Sequence, residues 1–242
     1  ILGIDIRKLA SFDITCFRRN NHLDRHYNYS VIWAIFAVLT AYLLGNIPFS
    51  VFVAKVAGHD LYKTGSKNPG ASNVARVAGW RWGSIAMALD IAKGFVPTLT
   101  TLLIADSYLS DEKSRILAYF VGFASMLGHV VPVGRKGGKG IATGAGVVLA
   151  LLPVPGIIAI ACWFLTMKIT KLPVISSIIA AAVLPIWVGL DHYYMWEFVV
   201  TSLLLVFVIA RHTPNIRRLI RREETGVTKT SREMHKPNQD QG

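Results

Sequence analysis

The chain alternates between long apolar runs and short polar, glycine-rich segments. It shows little of the three-to-four-residue striping of a soluble amphipathic helix. The runs occupy 31–54, which opens "VIWAIFAVLTAYLLG", about 83–105, about 115–133, 141–168, 173–190 and about 196–210. Most approach the roughly 20 residues that an α-helix needs to cross a bilayer. Run 141–168 carries "PVP" at 153–155. Proline at both ends of that triplet disfavours a continuous helix, so the run divides into halves shorter than a standard span, tilted or sheltered by neighbours. The pattern predicts an all-α membrane protein, a polytopic bundle of about seven transmembrane helices with short or irregular half-length helices. Residues 1–30 form an N-terminal arm, interfacial or disordered, 31–211 the helical domain, and 212–242 a basic tail. The arm has neither a continuous apolar core nor a small-residue cleavage site, so it is not expected to be a signal peptide.

Composition agrees with this class. The chain has 242 residues, 52% of them hydrophobic, and mean hydropathy is +0.44. The net charge of +12 has two ordinary sources in a membrane protein, a loop bias and anionic partners. Nucleic acid is not expected as a partner, because the hydropathy argues against it. The two cysteines, Cys16 and Cys162, indicate no disulfide framework. Neither a metal site nor a cofactor is called for.

The distribution of charge gives an orientation. Eighteen of the 26 lysines and arginines fall on one side, in loop 55–82, loop 134–140, the 168–171 turn and the tail from 211. That side, with the C-terminus, is expected to be cytoplasmic. The polar and glycine-rich segments share it and can converge at one membrane face.

Three of those segments suit chemistry. "GRKGGKG" at 134–140 combines three cations with four glycines. Glycines let successive backbone N–H groups form an anion-binding nest, and the lysines add point charges for phosphate. Gly140 follows Lys139 where a nucleotide P-loop requires Ser or Thr, so nucleotide binding is not indicated. A short basic loop obeying the charge bias is the competing reading. "GSKNPGASNVARVAG" at 65–79 sets Ser66, Asn68, Ser72, Asn73 and Arg76 among glycines. Such hydroxyls and amides hydrogen-bond phosphate or sugar-like hydroxyls, and arginine binds phosphate bidentately. A polar loop that caps a short helix is the plainer alternative there. In "RHTPNIRRLIRREE", His212 and Asn215 are three apart and can share a helix face, while the arginines can hold anionic headgroups. Asp90 and Lys93, one turn apart inside a span, read as a structural pair, with a border of the active site as the alternative. His129 at a span end also reads as structural. No nucleophile–base spacing is evident.

Taken in order, "LLGNIPFSVFVAK", "TGSKNPGASNVARVAG", "LDIAKGFVP", "GHVVPVGRKGGKGIATGAGV" and "RHTPNIRRL" resemble the bacterial PlsY family over roughly residues 38–224. These are integral-membrane acyl-phosphate:glycerol-3-phosphate acyltransferases. The resemblance implies a multi-pass protein of the bacterial cell membrane, with its active site on the cytoplasmic face. It implies acyl transfer from acyl phosphate to the 1-hydroxyl of glycerol 3-phosphate, giving lysophosphatidate and phosphate, the first acylation in phospholipid synthesis. Membrane lipids and an upstream acyl-phosphate-forming enzyme are the implied partners. Carried over residue by residue, Ser66, Asn68, Ser72, Asn73 and Arg76 match the first motif. Lys136, Gly137, Gly138, Lys139 and Gly140 match the phosphate loop, and His212 and Asn215 the last motif. Lys136, Arg76, His212 and Asn215 are the expected catalytic set, with Lys136 on the acyl phosphate.

The chain also departs from that pattern. Lys67 and Arg222 stand where glycine is usual. The segment between Pro132 and Lys136 is about two residues short. Val174 replaces a substrate-contacting serine, leaving Ser177 nearby as the candidate. An organic-phosphate or anion transporter and a divergent non-catalytic homologue are the alternative functions at this level.

Overall fold

The computed structural model describes residues 31–191, 193–224 and 226–227, all of it helix and connecting loop. The N-terminal arm and most of the basic tail lie outside the described residues. Helix α1 occupies 31–46 and α2 Phe49–Val56. The short helix α3 spans Ala71–Ala78, and α4 runs Trp80–Ala105. Then come α5 (Asp111–Val130), α6 (Ile141–Leu151), α7 (Pro153–Thr170), α8 (Pro173–Leu190) and α9 (Met195–Ile220).

Five of these segments are long and apolar enough to cross a membrane: Val31–Val56, which joins α1 to α2, and α4, α7, α8 and α9. Helix α5 matches them in length but opens with "DEKSR". Its acidic first turn suits a helix N-terminus. Helix α6 has 11 residues, about 16 Å of rise against a hydrocarbon core of about 30 Å.

Several boundaries differ from the hydropathy reading, each for a local reason. The first run breaks at 47–48, because residues before proline avoid the α region and Pro48 caps the next helix. The split of 141–168 falls where expected: α6 stops at Leu151 and Pro153 opens α7, its missing N–H being unneeded at the first helical position. Helix α7 nevertheless reaches Thr170 and is span-length, not a half-helix. Helix α9 continues past 210 to Ile220, through Pro214, so the boundary drawn at 211/212 lies inside a helix. Arg217 and Arg218 carry the helix beyond its apolar part, their long stems packing while the charged heads reach water.

Small residues bring the helices close together. A side chain at Gly94 would collide with the Thr143 carbonyl, and one at Gly146 with the Ile91 carbonyl, so α4 and α6 touch backbone to backbone. Gly45 and Gly128 do the same for α1 and α5, against the carbonyls of Ser125 and Tyr42. Pro97, inside α4, cannot donate to the Lys93 carbonyl; the Ser125 hydroxyl donates to that carbonyl instead, at 2.7 Å. At one end of the bundle Glu197, fully buried, pairs with Arg115. The other end collects the loops that carry the candidate chemistry.

Candidate functional site

The first wall is loop 57–79, organised by Asn73. This side chain is 1% exposed. Its Oδ1 accepts the Ser66 N–H at 2.8 Å, and its Nδ2 donates to the carbonyls of Leu61 (3.3 Å) and Thr64 (3.1 Å). Gly65 sits at φ +61 directly over the Asn73 amide, leaving no room for a Cβ. Asn73 therefore shapes the loop and has most of its polar capacity committed. The cap of α3 is Gly70, so neither Ser72 nor Asn73 is needed as a cap. Helix α3 carries Arg76 inward, and it is buried. Burial draws the guanidinium below its ordinary value, and the Glu224 carboxylate opposes that shift.

The second wall is loop 131–140. Its glycines are explained by close approach. Gly137 lies on the carbonyls of His129 and Val130, and Gly138 on the His129 ring, so neither tolerates a side chain. Gly140, at φ +84, caps α6 in the left-handed conformation. The Gly138 N–H donates to the His129 carbonyl at 3.1 Å, so it is not presented to a ligand. The two loop lysines differ. Lys136 is exposed; its Nζ donates to the Lys67 carbonyl at 3.3 Å, and its carbonyl accepts from the Tyr62 hydroxyl at 3.4 Å. Lys139 is largely buried and its Nζ donates to Asn215 Oδ1 at 2.5 Å. Desolvation pushes this ammonium down to about 8; Glu224 opposes the shift, and Arg218, Arg76 and Arg211 add to it.

The third wall is the end of α9. His212 and Asn215 share a face, as their spacing requires, and His212 is 2% exposed. A carbonyl can only accept, so the 2.8 Å contact of His212 Nδ1 with the Val208 carbonyl fixes the proton on Nδ1. In the neutral ring, Nε2 then carries the lone pair. Arg211 Nη2 donates to the Gly138 carbonyl at 2.9 Å, clamping α9 to the glycine-rich loop.

Glu224 has no role in the sequence reading. Its side chain is 4% exposed. Its Oε1 accepts from Asn215 Nδ2 and its Oε2 from Arg218 Nε, both at 2.7 Å. The chain reaches it by reversing at Arg222, at φ +60, where the Glu223 N–H returns to the Arg218 carbonyl. The sequence signal was faint, an acidic pair closing a run of arginines. Farther on, Val227 packs against Ala75 and Met167, and its N–H meets the Lys171 carbonyl.

Helix α8 contributes Ser177, whose Oγ donates to the Pro173 carbonyl at 2.7 Å and accepts from Trp163 Nε1 at 3.3 Å. Val174 is buried and does not line the cleft. Beneath the loops, Asp90 binds Lys93 Nζ at 2.9 Å and accepts the Ser50 hydroxyl at 2.6 Å, while Lys93 also reaches the Ile47 carbonyl. This pair ties α2 and the α1–α2 link to α4, and Asp90 also lines the cleft, so the pair is both a structural tie and a border of the site. His129 lies 3.8 Å from Asp90 and lines the cleft.

Together these walls line a cleft that is open to the outside at its mouth. It is lined by Ser66, Asn68, Ser72, Asn73, Arg76, Lys139, Gly140, Ser177, His212 and Asn215. Lys136, Gly137 and Gly138 are not in the lining; Lys136 stands at the rim and the two glycines form the loop's underside. Away from the polar end the wall is apolar, from Trp163 and Ile160 to Leu184 and Leu204. Among the described residues no three of His, Cys, Asp and Glu converge in a metal-binding group. The arrangement suits an amphiphile with an anionic head and a long apolar tail.

The profile of the glycerol-3-phosphate acyltransferase family matches residues 35–222. A glycerol-3-phosphate acyltransferase of Aquifex aeolicus is 38% identical over 192 residues, covering 77% of this chain and 95% of its own. One from Desulfotalea psychrophila is 34% identical, over 79% of this chain and 95% of its own. The crystal structure of PlsY, an integral membrane glycerol 3-phosphate acyltransferase in its glycerol 3-phosphate form, superposes with a TM-score of 0.72 at 35% identity. That match covers 80% of this chain and 94% of the other. Its lysophosphatidic acid form gives a TM-score of 0.70. With most of its length matched in sequence and in fold, the chain belongs to the PlsY family of integral-membrane glycerol-3-phosphate acyltransferases.

Proposed function

We propose that the chain transfers an acyl group from acyl phosphate to the 1-hydroxyl of glycerol 3-phosphate. The observation that carries this reading is the continuity of the cleft, whose cationic, amide-lined end runs into an apolar groove. Both substrates bear phosphate and one bears an alkyl chain, so one cleft with those two ends can seat both. The hydroxyl oxygen attacks the acyl carbonyl carbon, the bond from that carbon to the phosphate oxygen breaks, and the hydroxyl proton ends on the released phosphate. The donor is already activated, so orientation and charge stabilisation can supply most of the catalysis.

In this reading Arg76 and Lys139 hold phosphate within the cleft. His212 and Asn215 orient the acceptor or the developing oxyanion. Ser66, Asn68, Ser72 and Ser177 supply neutral hydrogen bonds. Lys136 takes the acyl phosphate at the rim, and the loop backbone supports it. Helices α5 and α6 complete a seven-span bundle in a bacterial cell membrane, with the cleft and C-terminus cytoplasmic as the charge bias favours. Purified protein in mixed micelles, offered acyl phosphate, acyl-CoA or acyl carrier protein with labelled glycerol 3-phosphate, tests the donor. Labelled lysophosphatidate from acyl phosphate alone is the expected result; equal product from the thioesters overturns the donor assignment.

A further inference from the structure

The apolar part of the cleft has a defined depth and a closed end. Its lining runs down α9 from Asn215 to Leu204, and down α8 from Pro173 to Leu184. Eleven residues at about 1.5 Å each give about 16 Å on either helix. The short helix α6 lines it from Gly140 to Val148, about 12 Å. At the bottom, Val148 and Leu184 belong to a buried cluster with Leu151, Leu152 and Val188, and Leu204 packs against it. The groove thus ends on packed side chains and does not thin out gradually.

We propose that Leu184, flanked by Val148 and Leu204, is the floor that sets acyl-chain preference. The inference rests on the proposed reaction, because it takes the groove's occupant to be the tail of a phosphate-headed lipid. Two observations support that occupant: the groove opens from a cationic end, and Ala181 and Gly144 in its apolar wall leave room for an alkyl chain. The turn of α9 holding His212 and Asn215 serves the head group, leaving about 12 Å for the tail. An extended alkyl chain advances about 1.3 Å per carbon, the projection of a bond of about 1.5 Å, so about nine or ten carbons reach the floor. Carbons beyond that must bend, and the bulk of Leu184 decides how far the straight segment extends. Ala181 lies one turn above Leu184 on α8 and also lines the groove, so enlarging it raises the floor.

The test is a pair of opposed variants in the full chain, assayed with acyl phosphates graded in chain length. Leu184→Ala should shift preference longer by roughly two or three carbons, the length of side chain removed. Ala181→Val should shift it shorter. Opposite shifts support the floor; transfer with an unchanged chain profile in both variants overturns it. Ala181→Val decides the matter if Leu184→Ala does not fold. Thermal stabilisation by single-chain phosphate lipids of graded length gives a readout independent of catalysis. A shifted binding profile without transfer from any acyl phosphate sinks the proposed reaction and leaves the floor standing. An unshifted profile overturns the floor whether or not transfer occurs.

Discussion

Replacing Lys139 with methionine keeps the length of the side chain and removes its charge. The ammonium makes a hydrogen bond to Asn215 Oδ1, and it lies within electrostatic reach of the Glu224 carboxylate and of Arg76, Arg211 and Arg218. A hydrogen bond to a charged group contributes about 1.5–3 kcal/mol. Losing one to a bound phosphate should lower kcat/KM for glycerol 3-phosphate by roughly ten- to 150-fold. The fold should not suffer in proportion, because the ammonium is desolvated and faces three like charges against the single Glu224 carboxylate. The depressed value adds a second signature. The charged form, which binds phosphate, predominates below about 8 and is lost as pH rises through it. Wild-type kcat/KM should therefore fall on an alkaline limb near that pH, and the methionine variant should lack the limb. Initial rates over a pH series, with thermal unfolding as the control, measure both. A variant with near-wild-type kcat/KM, or one that keeps the alkaline limb, refutes a phosphate-binding role for Lys139.

Two further outcomes concern the scaffold. Arg222 sits at φ +60, where a residue with a Cβ is strained by about 1–2 kcal/mol. Arg222→Gly should stabilise the protein by up to about 1 kcal/mol after the extra chain entropy of glycine is subtracted, read as a higher unfolding midpoint in detergent. Asp90→Ala leaves the buried Lys93 ammonium without its counter-charge and should cost about 3–5 kcal/mol. An unchanged melting profile there would show that the pair does not hold α2 against α4.

Much of this fold was legible because a membrane span is written as a long apolar run. Pro153 places a break that follows from its own chemistry, whereas the break before Pro48 was hidden inside a single apolar run. The convergence of the polar loops was also legible, because the charge bias and the span order put them on one side. Boundaries were harder. Hydropathy stops at 210 while α9 continues to Ile220, since a helix can persist after its apolar face ends. Two glycine substitutions noted in the sequence gained a physical meaning: Lys67 and Arg222 both occupy left-handed positions.

The site was legible by residue type and less so by role. Ser66, Asn68, Ser72, Asn73, Arg76, His212 and Asn215 all meet in one cleft. The sequence could not distinguish Lys136 from Lys139, because loop geometry alone puts one at the rim and the other inside. The place of Glu224 in the site is not legible, because it depends on a chain reversal that no local pattern announces. Ser125, which satisfies the carbonyl freed by Pro97, lies on another helix and is found only in three dimensions.

The most direct measurement is an experimental structure of the chain bound to lysophosphatidate. The phosphate is expected against Arg76 and Lys139, near His212 and Asn215, with the alkyl chain running between α6, α8 and α9 toward Leu184. A phosphate seated outside that cation cluster, or a chain lying elsewhere on the bundle, would contradict that placement.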